Sequence, residues 1–339
     1  MCEVQNEVQN ASENVNKDEL PETLYHYCSL DTFYNIVKNK SIWLSDLSKT
    51  NDSQELIWLK GIVKKKLLPE AEKNIKKEES SWDEWKVTQA LLEHSDFKLS
   101  CWGFCLSKKK DNLGQWRGYA DDGAGIAIGF KYNELRKLIP STKISNFESN
   151  EESKSEESKR KPDLAFNEVF YKTEENLFKE VSEKADKKIK NNPKVCAGIT
   201  KLVNELKEEG RPYVEIGSDS AKVLVTALIA ITEFPFYKST AFEEEEEWRI
   251  VFSMPRERVQ MRIEECYDWP SPLSFKEFGF NNAFISHFDI GIENFKDVIQ
   301  SITIGPKSKL TEADIELILR CYDVYNESIK IEKSAASYR

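Results

Sequence analysis

Residues 243–252 read EEEEEWRIVF, a run of five glutamates that passes directly into an aromatic and β-branched segment. Such residues favour a half-buried strand, so residues 247–253 are predicted to form one. The last glutamates then lie at the end of a sheet, partly removed from water, with Arg249 two residues beyond Glu247. A carboxylate in that position is suited to stabilising positive charge in a substrate. The alternative is a solvated charge run that precedes a core strand.

The composition is typical of a globular protein with a heavily charged surface. The 339 residues are 40% hydrophobic and 11% aromatic, which is enough for a sizeable core. A formal net charge of −10 argues against broad electrostatic attachment to nucleic acid or to an anionic membrane. No apolar run reaches the length of a membrane helix, and the start of the chain is polar, unlike a secretory signal. We therefore expect no membrane partner.

The seven cysteines indicate a cytoplasmic protein with reduced thiols, because their number is odd and most lie in apolar segments. Cys101 and Cys105 form a close pair, but no Cys or His partner is near them in the sequence, so a zinc site is not expected. Gly123-Ala124-Gly125 lacks the strand–turn–helix setting of a phosphate-binding loop. The sequence therefore argues against a doubly wound dinucleotide-binding fold.

The pattern along the chain predicts one α+β domain over 21–339, because strands at both ends flank a helical middle. The preceding residues 1–20 are predicted to be a disordered tail. Helical insertions are predicted near 55–95 and 174–235, and a mobile surface loop at 148–161. Predicted strands cover 24–28, 42–44, 101–106, 126–130, 167–171, 247–253, 259–264, 283–288, 298–304 and 329–332. Predicted helices cover 30–37, 174–190, 195–209, 220–234 and 312–322, with Ser29 and Thr311 as N-caps of the first and last.

Four separated segments form a distinctive combination. They are LYHYCSL at 24–30, NDSQE at 51–55, QWRGYAD at 115–121 with GIAIGF at 125–130, and EEEWR at 245–249. The segments IGPK at 304–307 and SYR at 337–339 fit the same pattern. Together they resemble a large, mostly bacterial family of unknown function, from about residue 23 to the C-terminus.

The opening segment of that pattern is similar to the first motif of ADP-ribosyltransferases of the His-Tyr-Glu type, which include DNA-modifying toxins. The resemblance implies a split β-sheet core and NAD as the substrate. It gives His26 the role of the first-motif histidine, Trp116 or Tyr119 that of the aromatic stacked on nicotinamide, and Glu247 that of the late-strand glutamate. It also implies ADP-ribose transfer, or NAD hydrolysis, by a toxin or anti-phage effector.

The chemistry of NAD cleavage explains the need for a carboxylate. Nicotinamide is already a cationic leaving group, so the difficult species is the ribosyl oxocarbenium ion. A fixed carboxylate beneath the ribose can accept a hydrogen bond from the 2′-hydroxyl and offset the growing positive charge. Glu247 suits this role because Trp248 must point to the opposite face of the strand. Glu245 would share the face of Glu247 and orient the incoming nucleophile.

His26 and an aromatic segment are the candidates for holding NAD. The imidazole of His26 offers one donor and one acceptor for a ribose hydroxyl and the carboxamide, and Tyr27 beside it is a further contact. A polar loop carries Trp116 and Tyr119, which can stack on cationic nicotinamide, and Arg117, which can pair with a diphosphate. Alternatively, the two aromatics fasten the loop to the core, Arg117 pairs with an acid, and the histidine is structural.

Two other classes of function are left open. A metal-dependent nuclease would use Asp52, Glu55 and Glu247 as a carboxylate cluster around Mg²⁺. A non-catalytic binding module would keep the cleft without the chemistry. For the transferase, the acceptor is left open between protein, nucleic acid and water.

Overall fold

The computed structural model describes part of the chain, in two compact units. The described residues are 20–49, 61, 65–66, 69, 99–138, 164–192, 194–205, 217–255, 273–278 and 283–338. The larger unit comprises 2–51, 100–169 and 241–339, and the smaller one comprises Met1, 52–99 and 170–240. Several predictions lie outside the described residues: the tail up to residue 19, most of the insertion near 55–95, the loop at 148–161 and the strand at 259–264.

The elements alternate between strands and helices along the chain, and the α+β class is consistent with them. The strands are β1 (Thr23–Cys28), β2 (Ser41–Asp46), β3 (Leu99–Ser107), β4 (Ile126–Lys131), β5 (Leu164–Glu168), β6 (Phe170–Lys172), β7 (Tyr237–Ser239), β8 (Glu247–Pro255), β9 (Ser274–Phe278), β10 (Ala283–Gly291), β11 (Ile299–Ile304) and β12 (Lys330–Lys333). The helices are α1 (Leu30–Asn39), α2 (Leu113–Tyr119), α3 (Tyr132–Leu138), α4 (Glu174–Asn191), α5 (Lys194–Glu205), α6 (Ser218–Glu233), α7 (Phe295–Val298) and α8 (Glu312–Cys321).

The larger unit is built on one mixed sheet that branches at β3. The order along its main path is β12-β11-β4-β1-β3-β2-β10-β9, and β8 pairs with both β3 and β5. β3 meets β1 at Ser107 and meets β2 through Trp102 and Gly103. A strand has only two edges, so two of the three partners of β3 share one edge, and the sheet splits there.

The β1–α1–β2 unit forms as its residues predict. The side chain of Ser29 accepts a hydrogen bond from the amide of Thr32 and caps α1. Phe33, Ile36 and Val37 are the buried residues of this helix, as helical spacing predicts. The helix ends at Asn39, and its C-cap Lys40 has a left-handed φ of 51° that turns the chain into β2.

Strand β8 separates an apolar face from a charged one. Trp248, Ile250 and Phe252 belong to the main hydrophobic core, where they pack with residues of β1, β3, β4 and β11. Glu247 and Arg249 alternate with them and therefore project from the opposite face. The predicted change of face at Trp248 is confirmed.

The smaller unit contains α4, α5 and α6, and a two-stranded parallel sheet of β6 and β7. A polar network joins its helices to β7. The hydroxyl of Tyr237 lies 2.8 Å from Glu180 Oε1 and 3.1 Å from Glu233 Oε2, and Lys184 Nζ lies 2.9 Å from the same hydroxyl. Within the described part of the chain, no helix combines the length and apolar character needed to cross a membrane.

Candidate functional site

A cavity in the larger unit gathers side chains from four separate segments. It encloses about 330 Å³, counting its open mouth. Strand β1 supplies Tyr25, His26 and Tyr27, and β3 supplies Cys105 and Leu106. Helix α2 supplies Gln115 and Tyr119, and the acidic run supplies Glu245 and Glu247. Five of the seven site residues predicted from the sequence thus meet in one place: His26, Tyr27, Tyr119, Glu245 and Glu247.

His26 is held as a neutral imidazole with its proton on Nδ1. Nδ1 lies 2.8 Å from the carbonyl oxygen of Cys105, and because a carbonyl only accepts, Nδ1 is the donor. Burial lowers the pKa of His26 to about 4, outweighing the opposite effect of this hydrogen bond. The ring stacks on Phe104, with centroids 4.2 Å apart. Near neutral pH, Nε2 is therefore left as a hydrogen-bond acceptor.

Glu247 is a buried carboxylate held by two parallel hydrogen bonds. Nε of Arg249 lies 2.7 Å from one carboxylate oxygen and Nη2 lies 2.9 Å from the other. Both residues are at most 5% exposed. The thiol of Cys105, on the neighbouring strand β3, also hydrogen-bonds to Glu247. The carboxylate is therefore fixed in direction on one side of the cavity.

The surroundings shift the pKa values of both partners of Glu247. Burial opposes the charge on Arg249, but the adjacent carboxylate outweighs it, so the pKa of the guanidinium is raised. Burial and the charge of Glu247 raise the pKa of the Cys105 thiol well above its ordinary value. Cys105 is thus a protonated hydrogen-bond donor here and not a thiolate nucleophile.

Glu245 reaches the cavity from a 3₁₀ turn rather than from the strand. The turn spans Thr240–Glu245, and Glu246 follows with a left-handed φ of 42° before β8 begins. The prediction that Glu245 shares the strand face of Glu247 is therefore wrong, although both carboxylates line the same cavity. The hydroxyl of Tyr119 donates to Glu245 Oε1 at 3.0 Å. Burial and the two nearby glutamates raise the pKa of that hydroxyl.

The acidic run becomes more buried towards β8. Glu243 and Glu244 are exposed, Glu245 and Glu246 are partly buried, and Glu247 is buried. The segment after β3 holds the run in place: the Ser107 hydroxyl donates to the carbonyl of Glu245 at 2.6 Å, and the amide of Lys108 donates to that of Glu246 at 3.0 Å. The predicted dehydration of the last carboxylates is confirmed.

Tyr27 and Trp116 form a small apolar cluster with Ala120 and Ala127. Trp116 is 0% exposed, and its Nε1 donates a hydrogen bond to Asp111 at 2.6 Å. Its ring packs against that of Tyr27 in a T-shaped arrangement, with ring centroids 4.8 Å apart. Its ring is thus enclosed by protein and does not line the cavity. This arrangement favours the alternative in which Trp116 fastens the segment to the core.

Arg117 lies away from the cavity, on the exposed side of α2. Its guanidinium is 4.8 Å from the ring centroid of Tyr338, and Lys307 lies 3.8 Å from the same centroid. The hydroxyl of Tyr338 donates to Asp122, which also pairs with Lys307 at 2.8 Å. The segments QWRGYAD, IGPK and SYR therefore meet in one surface cluster.

Sequence reasoning did not assign Tyr25, Cys105, Leu106 or Gln115 to the site, although all four line the cavity. Cys105 lies within a strand predicted to belong to the core, where a cysteine ordinarily packs as a small apolar side chain. Gln115 lies in a segment predicted to be a loop, whereas residues 113–119 form α2. Asn112 is the signal that could have found this helix, because its side chain accepts from the amide of Gln115 at 3.0 Å.

The described residues do not test the carboxylate cluster predicted for a nuclease. Asp52 and Glu55 lie outside those residues, whereas Glu247 pairs with Arg249 through both of its carboxylate oxygens. Among the residues with assigned positions, no group of three His, Cys, Asp or Glu side chains has the geometry to hold a metal ion.

Comparison with known proteins supports the resemblance to a family of unknown function. A family model described as a protein of unknown function (DUF2971) matches residues 115–250. The matched part includes QWRGYAD and the acidic run as far as Ile250, and it lies downstream of LYHYCSL. Searches of curated proteins and of solved structures gave no match.

Proposed function

We propose that the cavity binds the nicotinamide–ribose end of NAD and breaks the bond between them. The observation that carries the proposal is the convergence of His26, Tyr119, Glu245 and Glu247 on one cavity from distant parts of the sequence. A histidine that offers an acceptor, a fixed carboxylate and an aromatic side chain are the groups that this reaction needs. The products are nicotinamide and an ADP-ribosyl group joined to an acceptor or to water.

The proposed reaction has one bond broken and one formed. The C–N bond between ribose and nicotinamide breaks, and its electron pair neutralises the pyridinium nitrogen as nicotinamide leaves. Glu247 stabilises the ribosyl oxocarbenium ion and accepts a hydrogen bond from the 2′-hydroxyl. A carboxylate has about four lone-pair directions, so pairing with Arg249 does not use up its capacity to accept. The nucleophile then bonds to the ribosyl carbon, and Glu245 takes up its proton.

His26 and the tyrosines would position the substrate. With Nδ1 committed to Cys105, Nε2 of His26 accepts from a ribose hydroxyl or the carboxamide amine. Tyr119 is 38% exposed and lines the cavity, so its ring, rather than that of Trp116, is available to nicotinamide.

The architecture also supports the proposal. A split sheet is what the resemblance to ADP-ribosyltransferases implies, and the sheet of the larger unit branches at β3. The cavity lies beside this branch, between residues of β1, β3 and β8. We infer an ADP-ribosyltransferase-like core, with a toxin or anti-phage effector as the corresponding biological role and protein, nucleic acid or water as the acceptor.

The test is consumption of NAD by the purified protein, measured as released nicotinamide. We expect Glu247→Gln to lower the rate by about 10²–10³-fold, because the amide removes the charge that offsets the oxocarbenium ion and keeps the shape. The measurement includes host-cell extract as a source of protein and nucleic-acid acceptors, so that a strict transferase also turns over.

Glu243→Gln is the matched control, because Glu243 belongs to the same run but is exposed and outside the cavity. It should keep the wild-type rate. Magnesium-dependent cleavage of nucleic acid with NAD untouched would favour the nuclease instead. If both NAD and nucleic acid stay intact under all conditions, the result favours a non-catalytic binding module.

A further inference from the structure

We propose that Arg249 is a positioning residue, which keeps Glu247 ionised and directed at the cavity although Glu247 is almost fully buried. Resting on the proposed function, this inference assigns the third residue of the EWR segment, Arg249, a role that the sequence did not suggest. Arg249 does not line the cavity itself, so it acts through Glu247 and not on the substrate.

Burial is the reason that Glu247 needs such a partner. An isolated carboxylate taken out of water favours its protonated form, which carries no charge to stabilise an oxocarbenium ion. Glu247 is 5% exposed and Arg249 is 4% exposed, so water screens their interaction little. The guanidinium thus supplies the counter-charge that water supplies to an exposed carboxylate.

The hydrogen bonds from Arg249 also fix the orientation of the Glu247 carboxylate. Residues 247 and 249 are two apart on β8 and project from the same face. The two hydrogen bonds, of 2.7 and 2.9 Å, join the planar fork of Arg249 to both carboxylate oxygens and so fix the plane of the carboxylate. A lysine at position 249 would keep the positive charge but could not form the two parallel hydrogen bonds. The substitution therefore separates the contribution of charge from that of orientation.

Other groups around the carboxylate do not replace Arg249. Among the described residues, the groups near it on neighbouring elements include Cys105 on β3, Tyr119 on α2, Glu245 on the 3₁₀ turn and His26 on β1, which shares the cavity. Cys105 and Tyr119 have raised pKa values and are neutral, and His26 is neutral at pH 7 because its pKa is about 4. Glu245 carries the same charge as Glu247. None of these four side chains carries a positive charge, so they cannot supply the counter-charge that Arg249 provides.

The experiment compares Arg249→Met and Arg249→Lys with the wild type across pH. In Arg249→Met, Glu247 should become protonated near neutral pH, and NAD cleavage should fall by about 10²–10³-fold there. The loss should shrink as pH rises and the carboxyl ionises. Arg249→Lys should keep the wild-type pH profile with a lower rate at every pH. An equal loss at all pH values in Arg249→Met would overturn the proposal, because a merely structural role does not depend on the ionisation of Glu247.

A second readout does not depend on activity. Infrared difference spectra between ¹³C-glutamate-labelled protein and its Glu247→Gln variant isolate the band of this carboxyl group. Carboxylate in the wild type and protonated acid in Arg249→Met at pH 7 are the expected results. Carboxylate in both would overturn the inference. If the wild type leaves NAD intact, the proposed function fails while the spectra still decide the role of Arg249.

A further control is needed for the case in which Arg249→Met is inactive because it does not fold. If Arg249→Met does not fold, Glu247→Gln/Arg249→Met should fold, because removing both charges is tolerated better than removing one. A double variant that stays unfolded while Glu247→Gln folds would show that Arg249 acts independently of Glu247, and would overturn the proposal.

Discussion

The protonation of His26 links the cavity to the stability of the fold. In the folded protein the pKa of His26 is about 4, lowered by burial, against an ordinary value of 6.5. Above pH 6.5 the imidazole is neutral in both the folded and the unfolded chain. As pH falls below 6.5, the unfolded chain takes up the proton first, so the folded state loses stability until about pH 4.

Because of His26, we expect the unfolding free energy of the wild type to fall by about 2–3 kcal/mol between pH 7 and pH 4.5. His26→Gln is the comparison, because glutamine can still donate to the Cys105 carbonyl but does not titrate in this range. The measurement is urea unfolding of both proteins at several pH values. The stability difference between them should shrink as pH falls, and parallel curves would contradict the account.

Single residues show where sequence reasoning works and where it stops. Alternation along a strand placed Trp248 opposite Glu247, because side-chain direction in a strand is set by the backbone. The same rule failed for Glu245, because Glu246 adopts a left-handed φ of 42°. Glycine or asparagine at this position would have indicated such a backbone conformation, but a glutamate does not. The sequence also did not predict the ion pair of Glu247, because the nearness of Arg249 in the sequence does not show that it forms two hydrogen bonds to the carboxylate.

At the scale of elements, glycines set the joint between β4 and β11. A Cβ added to Gly305 would lie 2.4 Å from the carbonyl oxygen of Gly123 and 2.8 Å from that of Gly125. The amide of Gly305 also donates to the carbonyl of Gly125 at 2.9 Å. These neighbours are backbone atoms, which cannot rotate away as a side chain can. A side chain at residue 305 would therefore force the segment around Gly305 away from the segment that contains Gly123 and Gly125.

Gly305→Ala should therefore destabilise the protein by about 1–3 kcal/mol, the usual range for overpacking. Gly118→Ala is the matched control: it lies in α2, its added Cβ would meet no atom within 4 Å, and alanine favours a helix by up to about 1 kcal/mol. Urea unfolding measures both. Equal stability of the two variants would show that the joint tolerates a side chain.

Elements with strong end signals were predictable. Ser29 caps α1, and Thr311 caps α8 in a capping box with Asp314. Helix α2 was predicted to be a loop because it is short and contains Gly114 and Gly118, which lower helix propensity. Tertiary contacts stabilise it instead, including the burial of Trp116.

At the scale of the molecule, every cavity residue belongs to the larger unit. The sequence predicted that distant segments assemble there, because the motifs near residues 26, 119 and 247 were recognised as one set. It did not predict the branching of the sheet at β3, since strand pairing depends on contacts between segments far apart in sequence. The helical stretch at 170–240 forms part of the smaller unit.

The proposed reaction requires that NAD enter this cavity with its reactive bond between His26 and residue 247. The most direct measurement is a crystal structure of Glu247→Gln, which binds NAD but cleaves it slowly, with the dinucleotide soaked in. We predict nicotinamide–ribose in the cavity, a hydrogen bond to Nε2 of His26, and the 2′-hydroxyl beside the amide of residue 247. An empty cavity at saturating NAD, or NAD bound elsewhere on the protein, would contradict the account.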